Sequence, residues 1–292
     1  MEKEKSAYAY LLLTILLWSA APAVATVALE ELSNFQLLFY VNLVGMVVLF
    51  SLNLLLGKLP LFREYSKSDF LKMFGMGFLG IFLYYVFIYK SFDLAPAGEA
   101  NIINYLWPVF VVIFSILLLK EKFNRTTLLA ILLSFAGAAL VFSKGGAVDV
   151  SGEHALGYLL ALGAAVSYGL FSVLGKKLPF DKYSGMLAYY VSSFVLVVPA
   201  MLLFSGFAVP QSPATILALL FLGGLASSIA FVFWFKALAL GHTHKIANYI
   251  YITPFLALVF VYFINGEATP LISILGLFFI LGGILLQARN KP

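Results

Sequence analysis

The 292-residue chain has no cysteine, which excludes a disulfide framework, a thiolate metal site and a cysteine nucleophile. It has only three histidines. His154, His242 and His244 are too few for a histidine-built metal cluster, and the last two stand too close for an HExxH pair. No metal or cofactor is therefore expected. Charge is the third scarcity, at 11% of residues against roughly 25% in a soluble domain. A chain so poor in charge cannot cover a soluble core with a solvated surface. A nucleotide-binding Gly-x-x-x-x-Gly-Lys-Ser/Thr loop is also missing, so an ATP-driven pump would need a partner.

What is present is apolar. Hydrophobic residues make up 63% of the chain and aromatic ones 16%, and the mean hydropathy is +1.02. The lipid bilayer is the solvent that fits. Runs of about 20 apolar residues suit membrane helices, whereas barrel strands would alternate over about ten. Ten such runs are predicted, at 8–28, 34–56, 70–92, 95–119, 125–143, 155–178, 183–205, 212–238, 243–264 and 269–288. The first follows a mixed Glu and Lys segment and is read as a retained span, not a cleaved signal. The third and fourth are parted only by Asp93-Leu94-Ala95-Pro96, with Pro96 suited to the first turn of a new helix.

Ten spans put both termini on one side, and lysine and arginine choose which. The side of the termini receives all but Lys90 and Lys144 of the 18 basic residues. The 13 acidic residues split almost evenly, as expected when only the basic ones are read. Both termini are predicted to be cytoplasmic, in a cell inner membrane. The formal charge of +5 thus has a membrane explanation, and no nucleic-acid partner is expected.

A shift of 146 residues lays Lys90–Leu140 on Lys236–Leu286 without a gap, matching Lys90 to Lys236, Tyr105 to Tyr251, Pro108 to Pro254, Glu121 to Glu267 and Gly137 to Gly283. These types are rare or structurally specific in membrane spans, so they weigh more than matched leucines. Each half has an odd number of spans, five, so the second enters the membrane inverted. Inverted repeats underlie alternating access around a site near the midplane.

The order Pro108, Leu117-Leu118-Leu119-Lys120-Glu121 and Phe135-Ala136-Gly137-Ala138, repeated as Pro254, Glu267 and Gly282-Gly283, resembles the EamA repeat of the drug/metabolite transporter superfamily. The resemblance covers almost the whole chain, with halves at 1–143 and 155–292. It implies an all-α integral membrane fold of ten helices in two inverted repeats, and a secondary transporter of the bacterial inner membrane, commonly exporting amino acids or other small metabolites. At equivalent positions, Glu99 and Lys245 carry opposite charge.

Polar groups inside hydrocarbon are costly and each needs a reason. In the fourth span Asn101, Asn104, Tyr105 and Pro108 share a helix face, and in the ninth His244, Asn248, Tyr251 and Phe255 do the same. Amides and phenols suit amino and carboxyl groups. Two readings fit these stripes, a cavity lining and helix–helix hydrogen bonding. Trp18, Ser19, Tyr84, Tyr85, Tyr168, Tyr189, Tyr190 and Trp234 would add an aromatic lining, with Trp18, Tyr84 and Tyr168 placed near mid-span. Pro108 and Pro254 are candidate hinges. Glu99 is either stabilised by the helix dipole or is a coupling carboxylate. Lys236 and Lys245 either snorkel or meet an anionic group, and His244 joins them as a charge candidate.

Secondary transport of a small organic metabolite is the reading, with amino acids, hydrophobic or aromatic ones included, ahead of drug-like cations and nucleosides. An intramembrane enzyme would need paired carboxylates or a metal constellation, and no such cluster appears. A channel would need a filter, yet no run is short enough for a re-entrant loop. The partners expected are the solute and the bilayer, with the protein a monomer or homodimer.

Overall fold

The computed structural model describes residues 2–122, 124–143, 152–266 and 271–288. Lys144, Glu267, Arg289 and Lys291, used in the charge and repeat readings, lie outside the described residues. Every regular element among the described residues is helical. The first half comprises α1 (Glu2–Leu29), α2 (Asn34–Leu55), a 3-10 turn (Leu59–Arg63), α3 (Lys67–Gly77), α4 (Tyr84–Leu94), α5 (Ala97–Asn104), α6 (Trp107–Leu119) and α7 (Arg125–Ser143). The second comprises α8 (Ala155–Lys177), α9 (Lys182–Phe204), α10 (Pro213–Leu219), α11 (Ala230–Leu240), α12 (Thr243–Tyr249), α13 (Ile252–Asn265) and α14 (Leu271–Ala288). Among the described residues eight helical stretches are long and apolar enough to cross a membrane, and Arg125–Val141 and Leu271–Gln287 are shorter apolar helices. Their outer faces stay apolar and exposed, as at Leu203, Phe263 and Leu271, which suits contact with lipid.

Local sequence sets the helix ends. Ser33 and Ser66 each form a capping box, with Gln36 and Asp69 respectively. The Asp181 carboxylate accepts the Tyr183 and Ser184 N–H groups at 3.0 and 3.2 Å and starts α9. Pro96 sits one place earlier than the sequence suggests. It holds the N-cap position of α5, and the helix begins at Ala97.

Two features of the rods are not visible as hydropathy. First, α3 and α4 are joined by a π-helical segment, Phe78–Leu83, and α10 and α11 by another, Leu220–Ile229. The composite rods Lys67–Leu94 and Pro213–Leu240 coincide under the 146-residue shift. Second, the predicted fourth and ninth spans are each broken in the middle, at Tyr105-Leu106 and Ile250-Tyr251. Proline explains the positions: Pro108 has no N–H for the Asn104 carbonyl, and Pro254 none for that of Ile250. The chain closes these turns with tighter bonds, Leu106 N–H to the Ile103 carbonyl (3.0 Å) and Thr253 N–H to that of Ile250 (2.9 Å).

The most extensive helix pair is α7 with α14. Glycine makes that approach possible: a Cβ on Gly276 would lie 2.6 Å from the Gly137 carbonyl oxygen, and one on Gly283 would overlap Ser134 and the Ala130 carbonyl. Elsewhere α2 packs on α9, α6 on α8, α1 on α13, α1 on α11 and α4 on α8. Exchanging the halves returns α7–α14 and α2–α9 to themselves and interchanges α6–α8 with α1–α13 and α1–α11 with α4–α8. The exchange fails for several pairs, and α5 packs on α8 with no equivalent principal contact of α12 on α1 among the described residues. Helix α11 also packs against α8 and α9, and α12 against α6, whereas the equivalent contacts of α4 with α1 and α2, and of α5 with α13, are absent from the principal packed pairs among the described residues.

Candidate functional site

Where those contacts are missing, a cavity of about 320 Å³ opens among α1, α2, α4, α5, α8, the Leu220–Ile229 segment and the two helix breaks. Helix α4 supplies Tyr84, Tyr85, Ile88, Tyr89 and Phe92, a single face at helical spacing. The π-helical segment and its continuation supply Leu222, Ala226, Ser227 and Phe231, spaced by four to five residues as a wider turn requires. Asn101, Asn104, Tyr105 and Trp107 enter from the first break, and Ile250 and Thr253 from the second.

An aromatic floor closes the cavity toward the opposite end. Trp18 donates its indole N–H to the Ala226 carbonyl (2.9 Å) and meets Phe231, Trp234, Tyr168 and Trp107 with ring centres 5.5–6.2 Å apart. The Trp107 and Tyr168 rings are edge-to-face at 4.9 Å. Below them Phe171 and Phe235 pack at 5.0 Å, and Trp234 donates to Ser172 Oγ at 3.0 Å. The walls are therefore apolar and aromatic, with the polar groups concentrated at the first break. There Asn104 donates to the Tyr84 hydroxyl at 3.4 Å, while its carbonyl oxygen has no partner, and neither has the Tyr168 hydroxyl. No charged side chain lines the cavity among the described residues.

Of the residues singled out in the sequence, Trp18, Tyr84, Asn101, Asn104, Tyr105 and Tyr168 meet in this cavity. Ser19 lies behind its wall, bonded to the Ile15 and Thr253 carbonyls at 2.6 and 3.2 Å. Asn248 and Tyr251 are fully buried and outside the lining. Pro108 and Pro254 are both buried just after the breaks. Glu99 stands in the first turn of α5 and accepts a hydrogen bond from Tyr158. Tyr85 lines it too, Tyr189, Tyr190 and Trp234 are buried outside the lining, and Trp107, Ser227 and Thr253 belong to the lining although the sequence does not single them out for it. The Thr253 position was foreshadowed by its place beside Pro254.

The remaining charge candidates gather at the other end. Lys236 donates to the Tyr183 hydroxyl at 2.7 Å and lies over the rings of Tyr183 and Tyr10. Lys245 is half-buried in α12. Glu121, after α6, accepts Lys176 Nζ of α8 at 2.8 Å and the Thr243 hydroxyl of α12 at 2.6 Å, with His244 Nδ1 3.9 Å away. Lys176 also reaches the Gly241 carbonyl at 3.1 Å. Burial pushes the Glu121 carboxyl up, but the neighbouring His244 and the hydrogen bonds from Lys176 and Thr243 outweigh it and hold the pKa down to about 2. This clasp joins α6, α8 and α12 at the end where the packing is complete. Its counterpart under the 146-residue shift, Glu267, lies outside the described residues.

At the open end, the Glu31 carboxylate accepts the Gln211 and Ser212 N–H groups, and these hydrogen bonds depress its pKa. It ties the α1–α2 turn to the α9–α10 loop, while α5 is tied to α8 through the hydrogen bond of Tyr158 to Glu99. An aromatic chamber at the level of two broken helices, shut at one end and open at the other, is a geometry that suits a carrier.

Known proteins point the same way. The EamA-like transporter family matches the chain twice, over residues 5–143 and 155–289. An "Uncharacterized transporter" of Archaeoglobus fulgidus is 29% identical over 285 residues, covering 96% of both chains. The "Probable terminal-alkyne amino-acid exporter" of Streptantibioticus cattleyicolor is 27% identical over 300 residues, covering 99% of this chain and 95% of that one. The "Aromatic amino acid exporter YddG" of Ancylobacter novellus is 31% identical over 102 residues, 35% of this chain and 36% of its own. A solved structure with 23% sequence identity superposes with a TM-score of 0.87, covering 97% of this chain and 96% of that one, and so shares the fold. With both halves matched and the relatives named as transporters, the chain belongs to the EamA-like transporter family.

Proposed function

We propose that the protein is a secondary transporter of the inner membrane that exports an amino acid with an apolar or aromatic side chain by alternating access. In this reading ten segments cross the bilayer as two inverted repeats of five, residues 1–143 and 155–292, with both termini cytoplasmic. The bias of basic residues, the coincidence of the composite rods under the 146-residue shift and the two family matches support that arrangement. The Glu121 clasp is then cytoplasmic, and the cavity opens outward.

The observation that carries the substrate class is the neutrality of the cavity. A singly charged solute would be desolvated against aromatic walls with no counter-charge, which is expensive. A zwitterion is neutral overall and needs opposite dipoles close together. Each helix break offers them: the start of α6 or α13 presents N–H groups to a carboxylate, and the end of α5 or α12 presents carbonyls to an ammonium. Asn104 and Tyr84 add the hydrogen-bonding set, and Trp18, Trp107, Tyr168 and Phe231 surround the side chain. The names of two relatives as amino-acid exporters support the same class. Transport is driven by a substrate or proton gradient.

Binding of labelled L-phenylalanine to the purified protein, displaced by analogues, tests the reading. Phenethylamine and 3-phenylpropionate each lack one end of the zwitterion and should displace the label at least tenfold less well. Equal displacement by either analogue contradicts it.

A further inference from the structure

A second cavity, of about 560 Å³, forms a groove between α2, α3, α9 and the Leu59–Arg63 turn, and shares no lining residue with the chamber. Two sets of contacts hold it open. At one end the α2–α3 linker is pinned to the start of α9: Lys58 pairs with Asp181 at 2.9 Å, and the Tyr65 hydroxyl meets Ser184 Oγ at 2.7 Å. At the other end α3 touches α9 at Gly77, where a Cβ would overlap the Tyr189 carbonyl. Between these points Val47, Phe50, Phe70 and Val191 line the groove and stay exposed, so it opens toward lipid.

The groove offers nothing to a polar solute. Ser192 is the one polar residue of its lining among the described residues, and that hydroxyl is spent on the Ala188 carbonyl at 2.7 Å. From Ser184 to Ser192 helix α9 rises about 12 Å, most of the roughly 15 Å that one leaflet contributes to the hydrocarbon core. Length and lining suit an acyl chain.

The linker end of the groove is basic. Residues 58–72 hold four basic side chains and two acidic ones. Lys58 and Lys72 are taken up by Asp181 and Asp69. That leaves Arg63 and Lys67 against Glu64, all exposed and in no ion pair among the described residues. Arg63 follows Phe62 of the lining, and Lys67 stands one turn before Phe70. Arginine gives a phosphate two parallel N–H donors, and lysine adds a point charge. The counterpart linker, 205–212, has no basic residue, and its Phe207 packs on Phe39 and Tyr40 with ring centres 6.1 and 6.4 Å apart. The bias of basic residues toward one face does not by itself require an apolar groove beside them.

We propose that this groove binds an anionic diacyl phospholipid, with one acyl chain between α3 and α9 and the phosphate held by Arg63 and Lys67. On the orientation proposed above, the lipid comes from the cytoplasmic leaflet, whose anionic headgroups attract juxtamembrane basic residues. Because α3 belongs to the first half and α9 to the second, the lipid lies across the seam between the repeats.

The test is equilibrium binding of radiolabelled dioleoylphosphatidylglycerol to the whole protein purified in an uncharged detergent. Dioleoylphosphatidylcholine should compete about tenfold less well, and inorganic phosphate, which has no chain for the groove, should not compete. Arg63→Gln combined with Lys67→Gln should weaken binding about thirtyfold, the effect of withdrawing two basic residues from an anionic headgroup, with the melting temperature of the lipid-free protein unchanged. Val191→Trp fills the groove from an exposed position and should weaken binding at least as much with both basic residues in place. Equal competition by phosphatidylcholine, or unaltered binding in the double variant, removes the headgroup contact and overturns the proposal. Unaltered binding in Val191→Trp reduces it to charge attraction at the surface, and effective competition by inorganic phosphate assigns the basic pair to the free ion; either result overturns it. Binding of L-phenylalanine to the same samples reports the chamber alone, so its absence would count against the proposed substrate and not against the lipid site.

Discussion

Glu121→Gln should loosen the closed end without touching the cavity. The carboxyl falls from 4.5 to about 2 in the fold. That depression corresponds to about 3 kcal/mol. The side chain is 20% exposed and its partner Lys176 19%, so screening reduces this to about 1–2 kcal/mol. Glutamine keeps an acceptor for Thr243 but loses the charge opposite Lys176. If the clasp acts only when α12 is docked on α6, the equilibrium between docked and released states moves about tenfold, since 1.4 kcal/mol is one factor of ten. The absence of native cysteine makes this measurable with a single reporter. Ala247→Cys, fully buried in α12, should react with a membrane-impermeant thiol reagent about tenfold faster in the Glu121→Gln background. Lys176→Gln should have a similar effect, and the double variant should add little, because the two act as one interaction. The sign of the pH dependence follows from the depressed pKa. The clasp contributes fully above about pH 4.5 and is lost only as pH falls toward 2, so labelling at Ala247 should not rise between pH 8 and pH 5. Unchanged labelling in both single variants would refute the clasp.

Removing the Asn104 amide or the Tyr84 hydroxyl, as Asn104→Leu or Tyr84→Phe, should weaken outer-face binding about five- to thirtyfold, read by titration of the purified protein. Pro108→Ala and Pro254→Ala restore an N–H at each helix break and should slow exchange about tenfold while binding affinity stays within twofold, read by counterflow beside equilibrium binding. Gly276→Val meets the Gly137 carbonyl and Val141 across α7 and should lower the melting temperature markedly, whereas Gly75→Val, with nothing within 4 Å, should not. Alkaline phosphatase fused after Lys144 should be active and a fluorescent reporter at the C-terminus should glow; an inactive phosphatase fusion would break the inverted topology.

The membrane character of the fold was legible because apolar runs of about 20 residues have few alternative explanations. The boundary at Ala95-Pro96 was equally readable from its turn and proline. The helix breaks were signalled by Pro108 and Pro254, but only as hinges; their position several residues earlier follows from which carbonyl each proline leaves unbonded. The π-helical segments left no trace in the sequence. Phe78–Leu83 and Leu220–Ile229 are apolar or small on nearly every face, so a change of helical period has no pattern to disturb. For the site, spacing put Asn101, Asn104 and Tyr105 on one face, and the same rule put Asn248 and Tyr251 on another. Spacing cannot say which of two equivalent faces meets the chamber, because that depends on which end is packed. Trp107 lines the cavity through the break beside it, so it was no more predictable than that distortion.

The account is tested most directly by counterflow in proteoliposomes. Vesicles loaded with unlabelled L-phenylalanine and diluted into a trace of labelled L-phenylalanine should accumulate the label transiently above its external concentration, then release it, as expected of a carrier that exposes one site alternately to each face. Uptake that never exceeds equilibration and does not depend on substrate inside the vesicles would contradict it.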